Sequence, residues 1–305
     1  MFDIIVIGAG PAGLTAAIYA RRAEKQVLVI ERECFGGQIT HSPKVENYPG
    51  HESLSGSELG DRLFEHAVSA GAEIELDTVT GITPCECGYT VRCEGGEFTA
   101  RAVIIATGSK HRTLGLEHEE ELVGEGISYC AVCDGAFYKD MRVAVIGGGN
   151  SALQDAVMLS DTCLQVTVVQ NLPFLTGEER LQAILRDRAN VDFRLGEVVD
   201  ELLVEDGRFG GLSLKSVETG ELSLLPVDGV FVAIGQVPEN EVFASVVALD
   251  GRGYVISGED CLPTTEHPGI FVAGDCRTKA IRQVTTATAD GAVAALAACR
   301  YINDL

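Results

Sequence analysis

Apolar residues fill residues 2–7 (FDIIVI) apart from Asp3 and run unbroken through 27–30 (VLVI), and the LTAAIYARRAE segment between them carries its apolar positions at helical spacing. A short continuous apolar run beside a glycine cluster reads as a strand buried on both faces, so this stretch predicts strand, helix, strand. The turn into the helix is Gly8-Ala9-Gly10-Pro11-Ala12-Gly13. In this spacing the first glycine makes the turn, the second admits a pyrophosphate to the helix N-terminus, and the third lets helix pack on strand. Glu31 closes the second strand, where a carboxylate can bind ribose hydroxyls. The pattern then recurs. Arg142 to Ile146 leads into Gly147-Gly148-Gly149-Asn150-Ser151-Ala152, a helix through Leu159 and a strand from Val166 to Val169.

Between and after these units, Ile74 to Thr78 and Thr90 to Arg92 read as short strands around a glycine-bearing hairpin. Ala102 to Ala106 runs into Thr107-Gly108, Gly229 to Ile234 into Gly235, and Gly269 to Ala273 into Gly274-Asp275. Each looks like a strand returning from a nucleotide-binding sheet. An alanine-rich helix from Thr285 to Tyr301 follows. The order predicts an α/β fold of two Rossmann-like nucleotide-binding domains, the second inserted into the first. Residues 1–113 plus 244–305 would form the first domain and 114–243 the second. The crossings are read at Leu114-Gly115 and Pro238 to Asn240, and the acidic run Glu117 to Glu121 as a solvated face.

Composition narrows the function. The 305 residues are 46% hydrophobic, as a globular protein requires, and carry a net charge of -22, which disfavours nucleic acid and anionic lipid as partners. No apolar run approaches a membrane span of about 18 residues, and the chain enters a strand at once without a charged leader, so it reads as cytoplasmic. Of ten cysteines, Cys130 and Cys133 form a C-x-x-C pair. At a helix start such a pair can form and break a disulfide, with the helix dipole lowering a thiolate pKa. A structural zinc half-site would need a second ligand pair. Cys85, Cys87 and Cys93 lack a fourth ligand and read as ordinary strand cysteines; Cys276, after Gly274-Asp275, is a second redox candidate. The remaining cysteines read as packing residues and the six histidines as structural or exposed, and no metal site is expected.

With GAGPAG at 8–13, GGQIT at 36–40, VENYPG at 45–50, CAVCDG at 130–135, GGGNSA at 147–152 and GIFVAGD at 269–275, the chain resembles the low-molecular-weight thioredoxin reductases over nearly its whole length. The resemblance implies a homodimeric FAD flavoprotein that reduces a thioredoxin-like protein. It assigns Gly8, Gly10 and Gly13, with Pro11 and Ala12, to the FAD pyrophosphate and Glu31 to the ribose. Gly37, Gln38 and Asn47 would line the flavin side, and Ala106, Thr107 and Gly108 the cofactor at a strand end. Gly274, Asp275, Arg282, Gln283 and Val284 would meet the ribityl chain and isoalloxazine. Cys133 would face the flavin, Cys130 would attack the partner disulfide, and Asp134 would exchange a proton with the departing thiolate. The family also implies rotation of the inserted domain.

The chain departs from that family after the second strand of the inserted unit. An ordinary member has a His-Arg-Arg run with a further arginine to hold the 2'-phosphate of NADPH; here Gln170-Asn171-Leu172-Pro173-Phe174-Leu175-Thr176 carries no basic residue. NADH would want an acid where Gln170 stands. Leu153-Gln154-Asp155 also replaces the family's pair of glutamates. The expectation is a member independent of NADPH, with reduced ferredoxin as candidate donor and Arg277, Lys279 and Arg282 as a local basic patch against the acidic whole. Two alternatives stay open: an NAD(P)H-dependent reductase with an atypical pocket, and a flavin-binding redox sensor without efficient turnover.

Overall fold

The computed structural model describes residues 1–42, 44–205 and 207–305. The chain divides into two compact units, one of residues 1–110 with 237–305 and one of residues 111–236. Residues 111–113 thus group with the inserted unit and 237–243 with the enclosing one.

The enclosing unit begins with β1 (Phe2–Ile7), α1 (Pro11–Arg22) and β2 (Val27–Glu31), continues through α2 (Gly56–Ser69), β3 (Glu73–Leu76), β4 (Val79–Cys85) and β5 (Gly88–Cys93), and reaches the long β6 (Glu97–Ile105). Its sheet runs in the order β3-β2-β1-β6-β5-β4. The strands β3, β2, β1 and β6 are parallel, while β4 and β5 form an antiparallel hairpin on the first half of β6. β1 shows why its stretch from Ile4 to Ile7 is apolar throughout: Ile4 and Val6 join the core cluster that also holds residues of α1, and Ile5 and Ile7 the cluster on the opposite face. Each fully buried side chain of this kind contributes about 1.5–3 kcal/mol.

Lys110–His111 (β7) leads into the inserted unit, which contains β8 (Ile127–Ser128), α3 (Ala131–Asp134), β9 (Arg142–Ile146), α4 (Asn150–Ser160), β10 (Gln165–Gln170), α5 (Glu179–Arg186) and β11 (Val191–Leu195). An antiparallel three-stranded sheet of β12 (Glu197–Glu205), β13 (Arg208–Ser216) and β14 (Leu222–Leu225) follows. β15 (Gly229–Val232) then completes a parallel sheet ordered β11-β10-β9-β15-β8. The chain leaves through β16 (Gln236–Val237), which pairs with β7. The last segment supplies β17 (Ile270–Val272), parallel to the end of β6, and α6 (Val284–Asn303). α6 packs on α1 so closely that a side chain at Gly291 would lie 2.1 Å from the Ala12 carbonyl oxygen. Among the described residues no helix is long and apolar enough to cross a membrane.

The acidic run departs from its reading. Glu119 is 3% exposed, and its carboxylate accepts from the backbone N–H groups of Leu114, Gly115 and Leu116 and from the Tyr129 hydroxyl. It pins the very turn read as a crossing, because four donors from fixed positions offset the cost of burying the charge. Its neighbours Glu117, Glu120 and Glu121 are exposed.

Candidate functional site

In the enclosing unit, the first glycine turn builds a cradle at the N-terminus of α1. Gly8 has φ +106°, and a Cβ there would lie 2.4 Å from the Ala106 carbonyl oxygen; at Gly13 it would lie 1.9 Å from the Gly8 oxygen. These two glycines are required by the turn itself. Gly10 differs, since a Cβ there would meet only the Gly37 Cα, at 3.9 Å. The space above Gly10 is open, bordered by Gly37, with Pro11 as the first helical residue. The Glu31 carboxylate sits at the end of β2 and accepts from the N–H groups of Ala9 (2.7 Å), Arg32 and Glu33 (both 2.9 Å).

The end of β6 and the return of the chain complete this cradle. Thr107 donates from Oγ1 to Asn240 Oδ1 at 3.0 Å, and Asn240 Nδ2 donates to the carbonyls of Gly253 and Cys276. Asn240 is wholly buried. It links the Thr107-Gly108 turn to the segment after Gly274-Asp275, a role invisible in sequence because its partners come from three separate stretches. Asn47 donates to Gln283 Oε1 at 3.3 Å, which brings together two residues read independently as flavin-lining. Gln38 lies on the short 3-10 turn Gly37–His41, and Val284 is the first residue of α6.

Two polar atoms here have no hydrogen-bond partner: Asp275 Oδ1 and Arg282 Nε. The Arg282 guanidinium lies 4.4 Å above the Tyr254 ring. Burial pushes the Asp275 carboxyl up to about 6, against the pull of Lys279 and Arg282. An open glycine at a helix N-terminus, a ribose-type acid and unpartnered buried groups on the returning segment are the donor set a flavin dinucleotide requires. The residues fit FAD.

The basic patch read at Arg277, Lys279 and Arg282 is not a surface. Arg277 is 1% exposed. Its Nε and Nη2 donate to Asp290 at 2.9 Å each, and Lys279 Nζ, also buried, donates to the same carboxylate at 2.9 Å. These cations are spent on Asp290, which also accepts from the Gly274 N–H. Cys276 is fully buried, its thiol donating to the Ile105 and Ala273 carbonyls, and burial pushes its pKa up to about 11. That environment suppresses the thiolate a redox role needs.

In the inserted unit, Cys130 and Cys133 are joined in a disulfide, with Cα atoms 5.2 Å apart. The helix expected to start here is the single turn α3, too short for a sizeable macrodipole. Local donors act instead: the Cys133 N–H lies 3.2 Å from Cys130 Sγ. Ser128, on β8, donates to Asp134 Oδ2 at 2.6 Å and accepts from the Cys130 N–H at 3.1 Å. Asp134 is buried with Oδ1 unpartnered, and desolvation raises its carboxyl above the ordinary range. Val132, between the two cysteines, is exposed.

The second glycine turn, in the inserted unit, repeats the first at Gly147 and Gly149 but has different surroundings. A Cβ at Gly148 would lie 2.6 Å from both Cδ and Nε2 of Gln170, so Gln170 lies over the counterpart of Ala9, whereas Gly149, the helix N-cap that corresponds to Gly10, has only Thr176 Oγ1 near its Cβ position, at 3.9 Å. The loop after β10 folds back on the turn. The N–H groups of Thr176 and Gly177 donate to the Gly148 carbonyl at 2.8 and 2.9 Å, and Thr176 Oγ1 does so at 3.2 Å. Asn150, first residue of α4, exchanges two hydrogen bonds with Glu178. Leu153 packs against Gly177, where a Cβ would meet its Cδ1 at 2.5 Å.

Comparison with known proteins bears on this arrangement. Residues 2–291 match the Pyridine nucleotide-disulphide oxidoreductase family. The chain is 42% identical to a thioredoxin reductase of Listeria monocytogenes, covering 100% of this chain and 95% of that protein. It is 40% identical to the "34.2 kDa protein in rubredoxin operon" of Clostridium pasteurianum, over 99% and 97%. Among solved structures, the thioredoxin reductase of Streptococcus pyogenes aligns with a TM-score of 0.94 at 37% identity, over 100% and 99% of the two chains. The chain therefore belongs to the low-molecular-weight thioredoxin reductases within the pyridine nucleotide-disulphide oxidoreductase family, a family of flavoprotein disulfide reductases.

Proposed function

We propose that this protein is an FAD-dependent reductase of a thioredoxin-like protein disulfide that works through Cys130 and Cys133 and draws its electrons from a donor other than NADPH. The observation that carries the donor reading is the loop after β10, which has no cation over residues 170–176 and folds back onto the Gly148 carbonyl through the N–H groups of Thr176 and Gly177. A dinucleotide needs its pyrophosphate against the second glycine of the turn, as Gly10 permits in the enclosing unit. Gly149 leaves that place open in the inserted unit, but the Glu178 carboxylate sits at the start of α4, where it repels a second anion. The six residues that follow Gln170 supply no cation for a 2'-phosphate.

FAD, bound across Gly10, Gly37, Thr107, Asp275 and Arg282, would supply the two-electron reducing power. The chain's own residues perform the exchange. As a dithiol, Cys130 presents a thiolate to the partner disulfide, and one partner sulfur leaves as the mixed disulfide forms. Cys133 then attacks Cys130, the second partner sulfur leaves, and the Cys130–Cys133 bond closes. Asp134, whose carboxyl burial raises above the ordinary range and whose position Ser128 fixes, supplies a proton to a departing thiolate. Exposed Val132 gives the partner an apolar contact between the sulfurs.

An iron–sulfur or related one-electron carrier, ferredoxin in the first instance, is the proposed donor, in keeping with the rubredoxin-operon relative. The burial of Arg277 and Lys279 removes the docking patch read in sequence, so a carrier would dock elsewhere. The enzyme is proposed as a cytoplasmic homodimer. Supplying reduced ferredoxin or NADPH separately, with thioredoxin as acceptor, tests the reading: thiol formation is expected only with ferredoxin, and NADPH-driven turnover overturns it.

A further inference from the structure

The β4–β5 hairpin carries a thiol pair that the reductase chemistry does not use. Cys85 ends β4, Gly88 starts β5 and pairs with it, and the two-residue turn between them is Glu86-Cys87. The turn closes tightly because Gly88 has φ +136° and its Cα faces the Ala100 carbonyl, 2.3 Å from where a Cβ would stand. This brings the sulfurs of Cys85 and Cys87 to 3.7 Å, both exposed. Cys93, the third cysteine of the motif, is partly buried on β5, and no cluster of three metal-ligating side chains occurs among the described residues.

We propose that Cys85 and Cys87 form a second thiol–disulfide exchange site, taking small neutral or cationic alkyl disulfides, with Cys85 as the attacking sulfur and Cys87 as the resolving one. The pair is asymmetric. The Cys87 backbone N–H, with the Cys87 thiol, the Thr90 hydroxyl and the Gly88 N–H, stabilises the Cys85 sulfur and lowers its pKa, while donation to Cys85 raises that of Cys87. A thiolate beside a protonated thiol is the arrangement a two-step exchange needs. Exposed Glu86 stands between the two cysteines and sets the preference against anionic disulfides.

The exchange balances without any further reagent. The Cys85 thiolate attacks one sulfur of R–S–S–R, that bond breaks, and the first RS⁻ leaves and takes a proton from water. Cys87 loses its proton, attacks the Cys85 sulfur of the mixed disulfide, and expels the second RS⁻. Two electrons pass from the dithiol to the small disulfide, giving two RSH and a Cys85–Cys87 bond. The sulfurs close from 3.7 Å to about 2.05 Å by side-chain rotation at an exposed turn.

The test treats the reduced holoenzyme with cystamine, quenches with an alkylating agent and maps tryptic peptides. The peptide spanning residues 63–92 contains only these two cysteines. It is expected to lose two hydrogens and escape alkylation about tenfold faster than exposed Cys34 acquires a mixed disulfide. Cys87→Ser should trap cystamine on Cys85, and Cys85→Ser should leave Cys87 no faster than Cys34. Glutathione disulfide, an anion, should react more slowly than cystamine, with the gap closing at high salt. Equal reactivity of Cys85, Cys87 and Cys34, or the absence of the internal disulfide, overturns the proposal. Both outcomes are independent of the Cys130–Cys133 reading, because each peptide is scored separately.

Discussion

Ser128 Oγ donates to Asp134 Oδ2 at 2.6 Å and leaves Oδ1, buried, without a partner. Burial raises the carboxyl and the serine hydrogen bond lowers it, burial prevailing. In the window between its unfolded and folded pKa values the folded chain therefore holds a proton that the unfolded chain has lost. Stability falls as pH rises through that window and is level above it. The rate of thiolate departure should fall as pH rises through the folded pKa. Asp134→Asn is expected to slow thioredoxin reduction by about 10²-fold or more and to abolish that limb. Ser128→Ala should move the limb to higher pH, since the hydroxyl no longer favours the charged form; pH–rate profiles of the three proteins check both.

The two glycines of the first turn separate folding from binding. Gly13→Ala forces a Cβ onto the Gly8 oxygen and should prevent a soluble product. Gly10→Ala meets nothing closer than 3.9 Å and sits at the helix N-cap, so the stability change should stay within about 1 kcal/mol. Its FAD affinity should nevertheless fall about tenfold or more, as read by flavin retained through gel filtration. Full retention would remove Gly10 from the cofactor site.

Arg277 and Asp290 form a buried two-point ion pair that also engages Lys279. Asp290→Ala strands both cations and should cost about 3–5 kcal/mol in denaturant unfolding of the enclosing unit. Replacing Arg277, Lys279 and Asp290 together by apolar residues of similar volume should recover most of that loss.

Replacing Cys130 or Cys133 by serine is expected to abolish thioredoxin reduction with FAD still bound. Retained turnover in either variant, measured with the physiological donor or with dithionite-reduced enzyme, would break the assignment of that pair.

Much of this was legible in the chain. The strand–helix–strand units follow from unbroken apolar runs and glycine spacing, because strands buried on both faces must be apolar throughout. Hidden features were those whose partners lie far along the chain. Arg277 and Lys279 read as a basic patch because their acid, Asp290, sits on a helix where its carboxylate looks solvated. Glu119 read as one of a solvated run, since nothing local shows that it binds the backbone of Leu114, Gly115 and Leu116. Asn240 read only as part of a crossing, with nothing to show that it is buried and joins three stretches. The missing arginines were visible at 170–176; that the same loop folds back onto the Gly148 carbonyl and sets Glu178 at the start of α4 was not.

That loop is the account's centre, and an anaerobic titration of the oxidised holoenzyme tests it most directly. Flavin absorbance should remain unchanged on adding NADPH or NADH at micromolar levels, and fall when a reduced low-potential iron–sulfur carrier is supplied. Rapid bleaching by either nicotinamide would contradict it.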